Sequence, residues 1–180
     1  MIPIHLVALV ALLAVGGLEE YALPAPPPAP LAAQDASEVE TVAAHPEASP
    51  YDEAADASAD LAAALTRAAV ANKRVVVVMG ANWCHDSRAL AGWFATPRFA
   101  AMLAPRYEVV YVDAGHPVDG DLHNAAIARR FGLAKLKGTP TVFVASPDGT
   151  RLNSKKDASS WRNAASRSED DIFAYFASFE

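Results

Sequence analysis

The spacing of hydrophobic residues predicts four strands, the last two joined as a hairpin, together with several helical segments. Four consecutive valines in RVVVVMGA (74–81) and the apolar residues of YEVVYVDAG (107–115) are typical of strands covered on both faces of a sheet. TPTVFVAS (139–146) predicts a third strand. The Asp-Gly turn in PDGTRLNS (147–154) predicts a hairpin that adds a fourth.

Hydrophobic residues recur with the period of a helix before, between and after these strands. EAADASADLAAALTRAAVANK (53–73) places Leu61 and Leu65 on one face, and Ser58 or Asp60 is expected to cap this helix. The other predicted helices begin near Cys84, at Pro97 after its cap Thr96, in NAAIARRFGL (124–133) and at Ser168. The resulting order α-β-α-β-α-β-β-α predicts an α/β fold in which a small mixed central sheet is flanked by helices.

The first 53 residues show neither the hydrophobic pattern of a strand nor that of an amphipathic helix. Residues 4–15 form an apolar stretch of the length found in secretory signals and short for a membrane span, and YALPAPPPAP (21–30) follows as an extended spacer. We therefore predict a signal peptide or short N-terminal anchor with a Pro-rich stretch at 1–33, an acidic disordered linker at 34–53 and the folded domain at 54–180. The expected location is the periplasm or another extracytoplasmic compartment, although no Lys or Arg precedes the apolar stretch. A membrane is a partner only if the segment is not cleaved.

The net charge of −6 is unevenly distributed along the chain. Ten acidic residues and no Lys or Arg precede Arg67, whereas 15 basic and 11 acidic residues occur from that position onward. The acidic excess therefore belongs to the N-terminal part, which is typical of a solvated arm. Because the basic residues of the second half are scattered, the sequence predicts no nucleic-acid partner.

The segment ANWCHDS (81–87) contains the only cysteine of the chain, between the valine strand and the next helix. In an oxidising compartment an unpaired cysteine indicates a reactive thiol or intermolecular pairing. At a helix N-terminus, the helix dipole and free amide groups favour the thiolate of Cys84. A hydrogen bond from the Ser87 hydroxyl and a protonated His85 are expected to favour it further, while the charge of Asp86 opposes it.

Together with KGTPTVFV (137–144), the Trp-Cys-x-x-Ser pattern at this junction resembles the thioredoxin superfamily. The resemblance implies a thioredoxin-like fold in which Cys84 is the nucleophile, exposed at the start of a helix, and Trp83 belongs to its apolar surround. It also implies that Pro140 is the cis-proline beside the thiol and that Thr139 presents backbone groups to an extended peptide. Thr139 is more similar to the isomerase-type members than to thioredoxin itself.

The resemblance covers residues from about 55 to 180 and fails at two positions. Ser87 stands where the resolving cysteine belongs, and Val78 stands where thioredoxin carries a buried acid that helps to deprotonate the resolving thiol. A single thiol can form a mixed disulfide, but its release then needs a thiol of the client, a small thiol or another partner. An ordinary dithiol reductase is therefore excluded.

Two classes of function stay open. In the first, Cys84 acts in monothiol or isomerase-like exchange with client proteins that carry a disulfide or a thiol. In the second, the chain is a non-catalytic peptide-binding or chaperone-like module in which Cys84 is incidental or a redox sensor. A homodimer linked through Cys84 is a third alternative.

The sequence indicates no cofactor and no metal. Two histidines and three aspartates crowd the loop after the second strand, but their spacing matches no known ligand pattern. These residues are Asp113, His116, Asp119, Asp121 and His123. Cys84 and His85 by themselves supply too few ligands.

Overall fold

The computed structural model describes residues 45–116 and 123–179. The predicted leader at 1–33, residues 34–44 of the predicted linker, and Asp119 and Asp121 lie outside the described residues. Within the described part of the chain, no helix is both long enough and apolar enough to cross a membrane.

Three described strands form one mixed sheet: β1 (Arg74–Gly80), β2 (Tyr107–Asp113) and β3 (Thr141–Ala145). β1 is central and pairs in parallel with β2 and antiparallel with β3, so that Val77 has a partner on each side. The parallel pair requires a crossover, which the two helices after β1 supply. The prediction of an α/β fold with a small mixed sheet is confirmed.

Helices pack on both faces of the sheet. Their bounds are α1 (Ala57–Ala71), α2 (His85–Ala95), α3 (Pro97–Leu103), α4 (Ala125–Arg130), α5 (Lys155–Ala158), a 3-10 helix (Ser159–Ser166) and α6 (Glu169–Ala177). Pro97 begins α3 and Ser168 caps α6, as predicted. The cap of α1 is Asp56 rather than Ser58 or Asp60, because the Asp56 carboxylate accepts two backbone hydrogen bonds from the first turn.

The predicted fourth strand is wrong, since Arg151 forms only an isolated bridge with Ala145. The side chain of Asn153 takes the place of a strand at the free edge of β3. Its Oδ1 accepts a hydrogen bond from Val144 N (3.1 Å), and its Nδ2 donates one to Val142 O (2.9 Å). Asn153 is buried, so these backbone groups are satisfied without a further strand.

Successive strand residues enter two different cores, one on each face of the sheet. Val75 and Val77 pack with the alanines of α1 and with α4. Val76 and Val78 face the opposite side, where the core is rich in aromatic rings. The rings of this aromatic core belong to Tyr51, Phe94, Phe99, Tyr107, Trp161 and Phe176. It supports helix α2, whose N-terminus adjoins Cys84.

Residues 45–51, which we name the strap, pack on the domain, whereas the sequence predicted a disordered linker there. Tyr51 is 2% exposed and belongs to the aromatic core. Ala48 N donates a hydrogen bond to a carbonyl of α2 (3.1 Å). Pro46 lies against Gly92, where an added Cβ would stand 2.1 Å from Pro46 O. The strap shows no periodic pattern of hydrophobic residues because a single buried ring and a few hydrogen bonds, and not a whole apolar face, attach it to the domain.

Candidate functional site

The thiol of Cys84 lies where strand β1 gives way to helix α2. Cys84 is the N-cap residue of α2 and has an extended backbone that turns the chain into the helix. Its Sγ donates a hydrogen bond to the carbonyl oxygen of Thr139 at 3.4 Å. Cys84 is only 8% exposed, whereas the resemblance implied an exposed thiol. The exposure of the thiol is low because the sulfur points against the loop that precedes β3.

The loop before β3 brings Thr139 and Pro140 to the thiol, as the resemblance implied. The peptide bond between them is cis. Thr141 Oγ1 donates a hydrogen bond to Gly138 O (3.0 Å). Arg162 Nη1, from the 3-10 helix, donates one to Lys137 O (3.3 Å). These bonds fix the loop that carries the carbonyl facing Cys84.

Trp83 provides an exposed apolar surface next to Cys84. Its side chain is 44% exposed, and its Nε1 donates a hydrogen bond to Gly115 O (3.0 Å). The ring lies 5.1 Å from the ring of His116, between centroids. The sequence predicted Trp83 but not its two partners, which follow β2. The available signal was the parallel pairing of β1 with β2, which brings the ends of both strands to the same edge.

Ser87 lies close in sequence to the thiol but does not bind the sulfur. The residue is fully buried, and its Oγ has no hydrogen-bond partner among the described residues. The expected hydrogen bond from the Ser87 hydroxyl to the Cys84 sulfur is therefore absent, and the sulfur donates its own hydrogen to Thr139 O. Ser87 contributes its backbone carbonyl, which accepts a hydrogen bond from the Tyr51 hydroxyl (3.1 Å).

His85 and Asp86, the expected modulators of the thiol, both have partners in other segments. Asp86 Oδ1 accepts a hydrogen bond from Ala165 N (2.9 Å) and so ties the first turn of α2 to the 3-10 helix. His85 Nε2 lies 3.0 Å from His45 Nε2, and His85 Nδ1 lies 3.0 Å from Glu47 Oε1. Their effect on the thiol stays a prediction, while their contacts give both residues a role in packing.

Arg88 links the strap to the segment that precedes the thiol. Its Nε donates a hydrogen bond to Glu47 Oε2 (2.9 Å), and its Nη1 donates one to Asn82 O (3.0 Å). The hydrogen bond and the positive charge of Arg88 hold the pKa of Glu47 below its usual value. The Glu47 carboxylate is therefore ionised near neutral pH.

Tyr51 fixes the turn before Cys84, a contact that the sequence analysis missed. Asn82 Oδ1 accepts a hydrogen bond from Tyr51 N (3.1 Å), and Asn82 Nδ2 donates one to Tyr51 O (2.7 Å). Burial raises the pKa of the Tyr51 hydroxyl well above its usual range, so it acts as a neutral donor. One signal was present: Tyr51 is the only aromatic residue between Tyr21 and Trp83.

The polar loop after β2 does not assemble a ligand set in the described residues. Asp113 is 3% exposed, accepts a backbone hydrogen bond within the loop (2.8 Å), and lies 3.4 Å from His123 Nδ1. The side chains that do come together as potential metal ligands in the described part of the chain are His45, Glu47 and His85. Their donor atoms lie within 4.8 Å of one another.

Comparison with known proteins agrees with this geometry. The profile of the family described as thioredoxin-like matches residues 56–147. A solved structure of a disulphide isomerase from Xylella fastidiosa Temecula1 is similar, with 32% sequence identity and a TM-score of 0.64. That match covers 72% of this chain and 95% of the isomerase chain. No curated protein matches. The fold, the position of Cys84 and these two matches together show that the chain belongs to the thioredoxin-like family.

Proposed function

We propose that this protein carries out thiol–disulfide exchange through Cys84 alone and captures client proteins as mixed disulfides. One observation carries the proposal: the Cys84 sulfur lies at the N-cap of α2, 3.4 Å from Thr139 O, and the residue one turn along is the buried Ser87. The similar structure from Xylella fastidiosa Temecula1 is a disulphide isomerase, which supports this class of chemistry.

The proposed step exchanges one disulfide for another. The deprotonated sulfur of Cys84 attacks one sulfur of a client disulfide, a new S–S bond forms, and the client's own S–S bond breaks. The second client sulfur leaves as a thiolate and takes a proton from water. The positive end of the α2 dipole stabilises the negative charge on the attacking sulfur.

Thr139 O is expected to change partner during this step. In the free protein it accepts the thiol hydrogen of Cys84. A sulfur in a mixed disulfide has no hydrogen to donate, so the carbonyl becomes available to a backbone N–H of the client. The exposed face of Trp83 lies beside the thiol and offers an apolar contact. The client would then bind as an extended segment through main-chain hydrogen bonds.

Release of the client depends on a second thiol, because the Ser87 hydroxyl cannot act in its place. If the second thiol belongs to the client, the result is a rearranged client disulfide, which is isomerisation. If it is a small thiol, its sulfur attacks the client sulfur, forms a disulfide with the client and releases the thiolate of Cys84. Neither route requires a cofactor.

A non-catalytic peptide-binding module is the second candidate, and the burial of the site favours it. Cys84 is 8% exposed while the neighbouring Trp83 is 44% exposed, so a partner meets the ring before it meets the sulfur. In this case Cys84 is incidental or senses the redox state. A homodimer linked through Cys84 would require two such covered thiols to meet.

We also propose that the protein is exported to an extracytoplasmic compartment such as the periplasm. The apolar and Pro-rich stretch at 1–33 supports this, and client disulfides persist in oxidising compartments. Cell fractionation with mass determination of the chain is expected to find a processed form outside the cytoplasm. An unprocessed cytoplasmic chain would contradict export.

Mixed-disulfide trapping tests the function. The reduced full-length chain is incubated with a protein whose disulfides have been scrambled, and the products are alkylated and separated without reductant. The wild type is expected to accumulate a mixed disulfide, and Cys84→Ser to form none. Ser87→Cys should shorten its lifetime by about 10-fold or more, because the new thiol attacks within the same molecule. If the wild type forms no adduct and Cys84→Ser binds the client equally well, the binding module is correct.

A further inference from the structure

Two histidines that are distant in sequence meet at the first turn of α2. His45 of the strap and His85 of α2 place their Nε2 atoms 3.0 Å apart, and their ring centroids are 4.6 Å apart. Glu47 Oε1 lies 3.0 Å from the other ring nitrogen of His85. We propose that His45, Glu47 and His85 form a site for a divalent transition-metal ion of the zinc class, bound between the two Nε2 atoms.

The spacing of the two ring nitrogens is close to that required around a tetrahedral ion. With Zn–N distances of about 2.0–2.1 Å, two imidazole ligands place their nitrogens about 3.3 Å apart. The observed separation of 3.0 Å reaches this value after a small rotation of one ring. The His85 side chain is 60% exposed, so solvent rather than packed protein surrounds most of it during such a rotation.

The surroundings of both rings select Nε2 as the ligand atom. Nδ1 of His45 is buried and has no hydrogen-bond partner among the described residues, so an ion reaches this ring from its other nitrogen. Nδ1 of His85 faces the Glu47 carboxylate, which accepts its hydrogen and leaves Nε2 unprotonated for the metal. Arg88 holds the second oxygen of Glu47 at 2.9 Å and so fixes this orientation.

The donor set selects the class of ion. Imidazole nitrogens suit Zn²⁺ and its neighbours in the transition series, whereas Mg²⁺ and Ca²⁺ prefer oxygen ligands. The two rings are neutral ligands, and Arg88 offsets the charge of Glu47, so nitrogen coordination rather than net charge supplies the affinity. Water would complete the coordination. An ion bound here joins the strap to α2 and stabilises the folded state by linkage.

Calorimetric titration with zinc chloride tests the site. The full-length chain carries Cys84→Ser in every sample, which removes the thiol as a competing ligand and makes the result independent of the proposed exchange reaction. One Zn²⁺ per chain is expected to bind. His45→Ala and His85→Ala should each abolish binding, and Glu47→Gln should weaken it by about 10- to 100-fold, as carboxylate partners of metal-binding histidines do. His123→Ala is the matched control and should bind as the parent does.

Thermal unfolding separates loss of the site from loss of the fold. Without zinc, each histidine variant is expected to unfold in one cooperative transition slightly below the temperature of the parent, because His85 is exposed and His45 is only partly buried. With zinc, the unfolding temperature should rise for the parent and for His123→Ala only. Zinc binding that persists in His45→Ala or His85→Ala, or its absence from the parent chain, overturns the proposal.

Discussion

Cys84 has two flanks that differ in how they are built. On one side, the loop before β3 meets the sulfur through a single backbone atom, Thr139 O. On the other side, the strap never contacts the sulfur in any described bond and instead binds the residues around it, chiefly through the backbone and hydroxyl of Tyr51 and the carboxylate of Glu47. The first flank contacts the reactive atom itself, and the second holds the residues around that atom in place. The variants below are expected to separate these roles, from the largest effect on stability to the smallest.

Removal of the Tyr51 ring should cause the largest loss of stability. Tyr51→Ala deletes a buried ring of the aromatic core together with a hydrogen bond, and substitutions of this kind cost about 3–5 kcal/mol. Urea unfolding measures the free energy of unfolding. Tyr51→Phe is the matched control, since it keeps the ring and should lose only about 1 kcal/mol. A Tyr51→Ala chain as stable as the wild type would show that the strap supports nothing.

Gly92→Ala tests the contact between the strap and α2. In an isolated helix this change would stabilise by up to about 1 kcal/mol. Here the added Cβ would stand 2.1 Å from Pro46 O, so the strap must move, and we expect a loss of about 1–3 kcal/mol. The sign of the change decides between the two cases. Limited proteolysis should also cut the strap sooner in the variant, and a more stable, uncut variant would disprove the contact.

Gly138→Ala tests the flank that carries the chemistry. The backbone of Gly138 has a φ of 150°, a value that residues other than glycine rarely adopt. The change should therefore cost about 1 kcal/mol of stability. Its larger effect is expected on the rate of mixed-disulfide formation, because Thr139 follows directly. Gly92→Ala is the comparison, with more effect on stability and less on rate. The division of roles is wrong if both variants change rate and stability in the same proportion.

Glu108 lies on β2 and provides a reference for both flanks. A hydrogen bond from Arg67 holds the pKa of Glu108 below its usual value, with Lys73 adding to the effect. A lowered folded-state pKa means that the ion pair stabilises the protein above the unfolded pKa of about 4.3 and loses this contribution as the pH falls through the folded value.

Glu108→Gln should therefore cost at most about 1 kcal/mol at neutral pH and less in acid, with no change in thiol reactivity. Urea unfolding at two pH values measures this difference. A cost that stays the same in acid would show that the ion pair contributes nothing.

The sequence predicted the flank that carries chemistry better than the flank that gives support. Consecutive valines predicted β1, and Cys84 lies against the cis Thr139-Pro140 segment as the motif implied. Motifs and periods report on local segments or on whole faces of elements. The strap depends on single contacts across long separations, such as Tyr51 with Asn82, and these leave no periodic trace.

Two smaller errors concern single side chains. The Ser87 hydroxyl was expected to donate a hydrogen bond to the sulfur because it lies one turn along the helix, but it has no partner among the described residues, and the sulfur itself donates to Thr139 O. The fourth strand was expected from a turn signal, but one amide side chain replaced it. In both cases the placement of a single side chain, which no motif or period reports, decides the outcome.

The side chain of Asn153 also occupies part of the outer edge of β3. An open strand edge invites a further strand from another molecule, and such edges promote aggregation. On β3, Val142 O and Val144 N are already engaged by Asn153, and Leu152 N binds Val144 O. A stray segment therefore finds these three backbone groups of β3 already engaged. Under the proposed function, recognition of an extended client would therefore fall to the end of the sheet where the cysteine lies, away from the outer edge of β3.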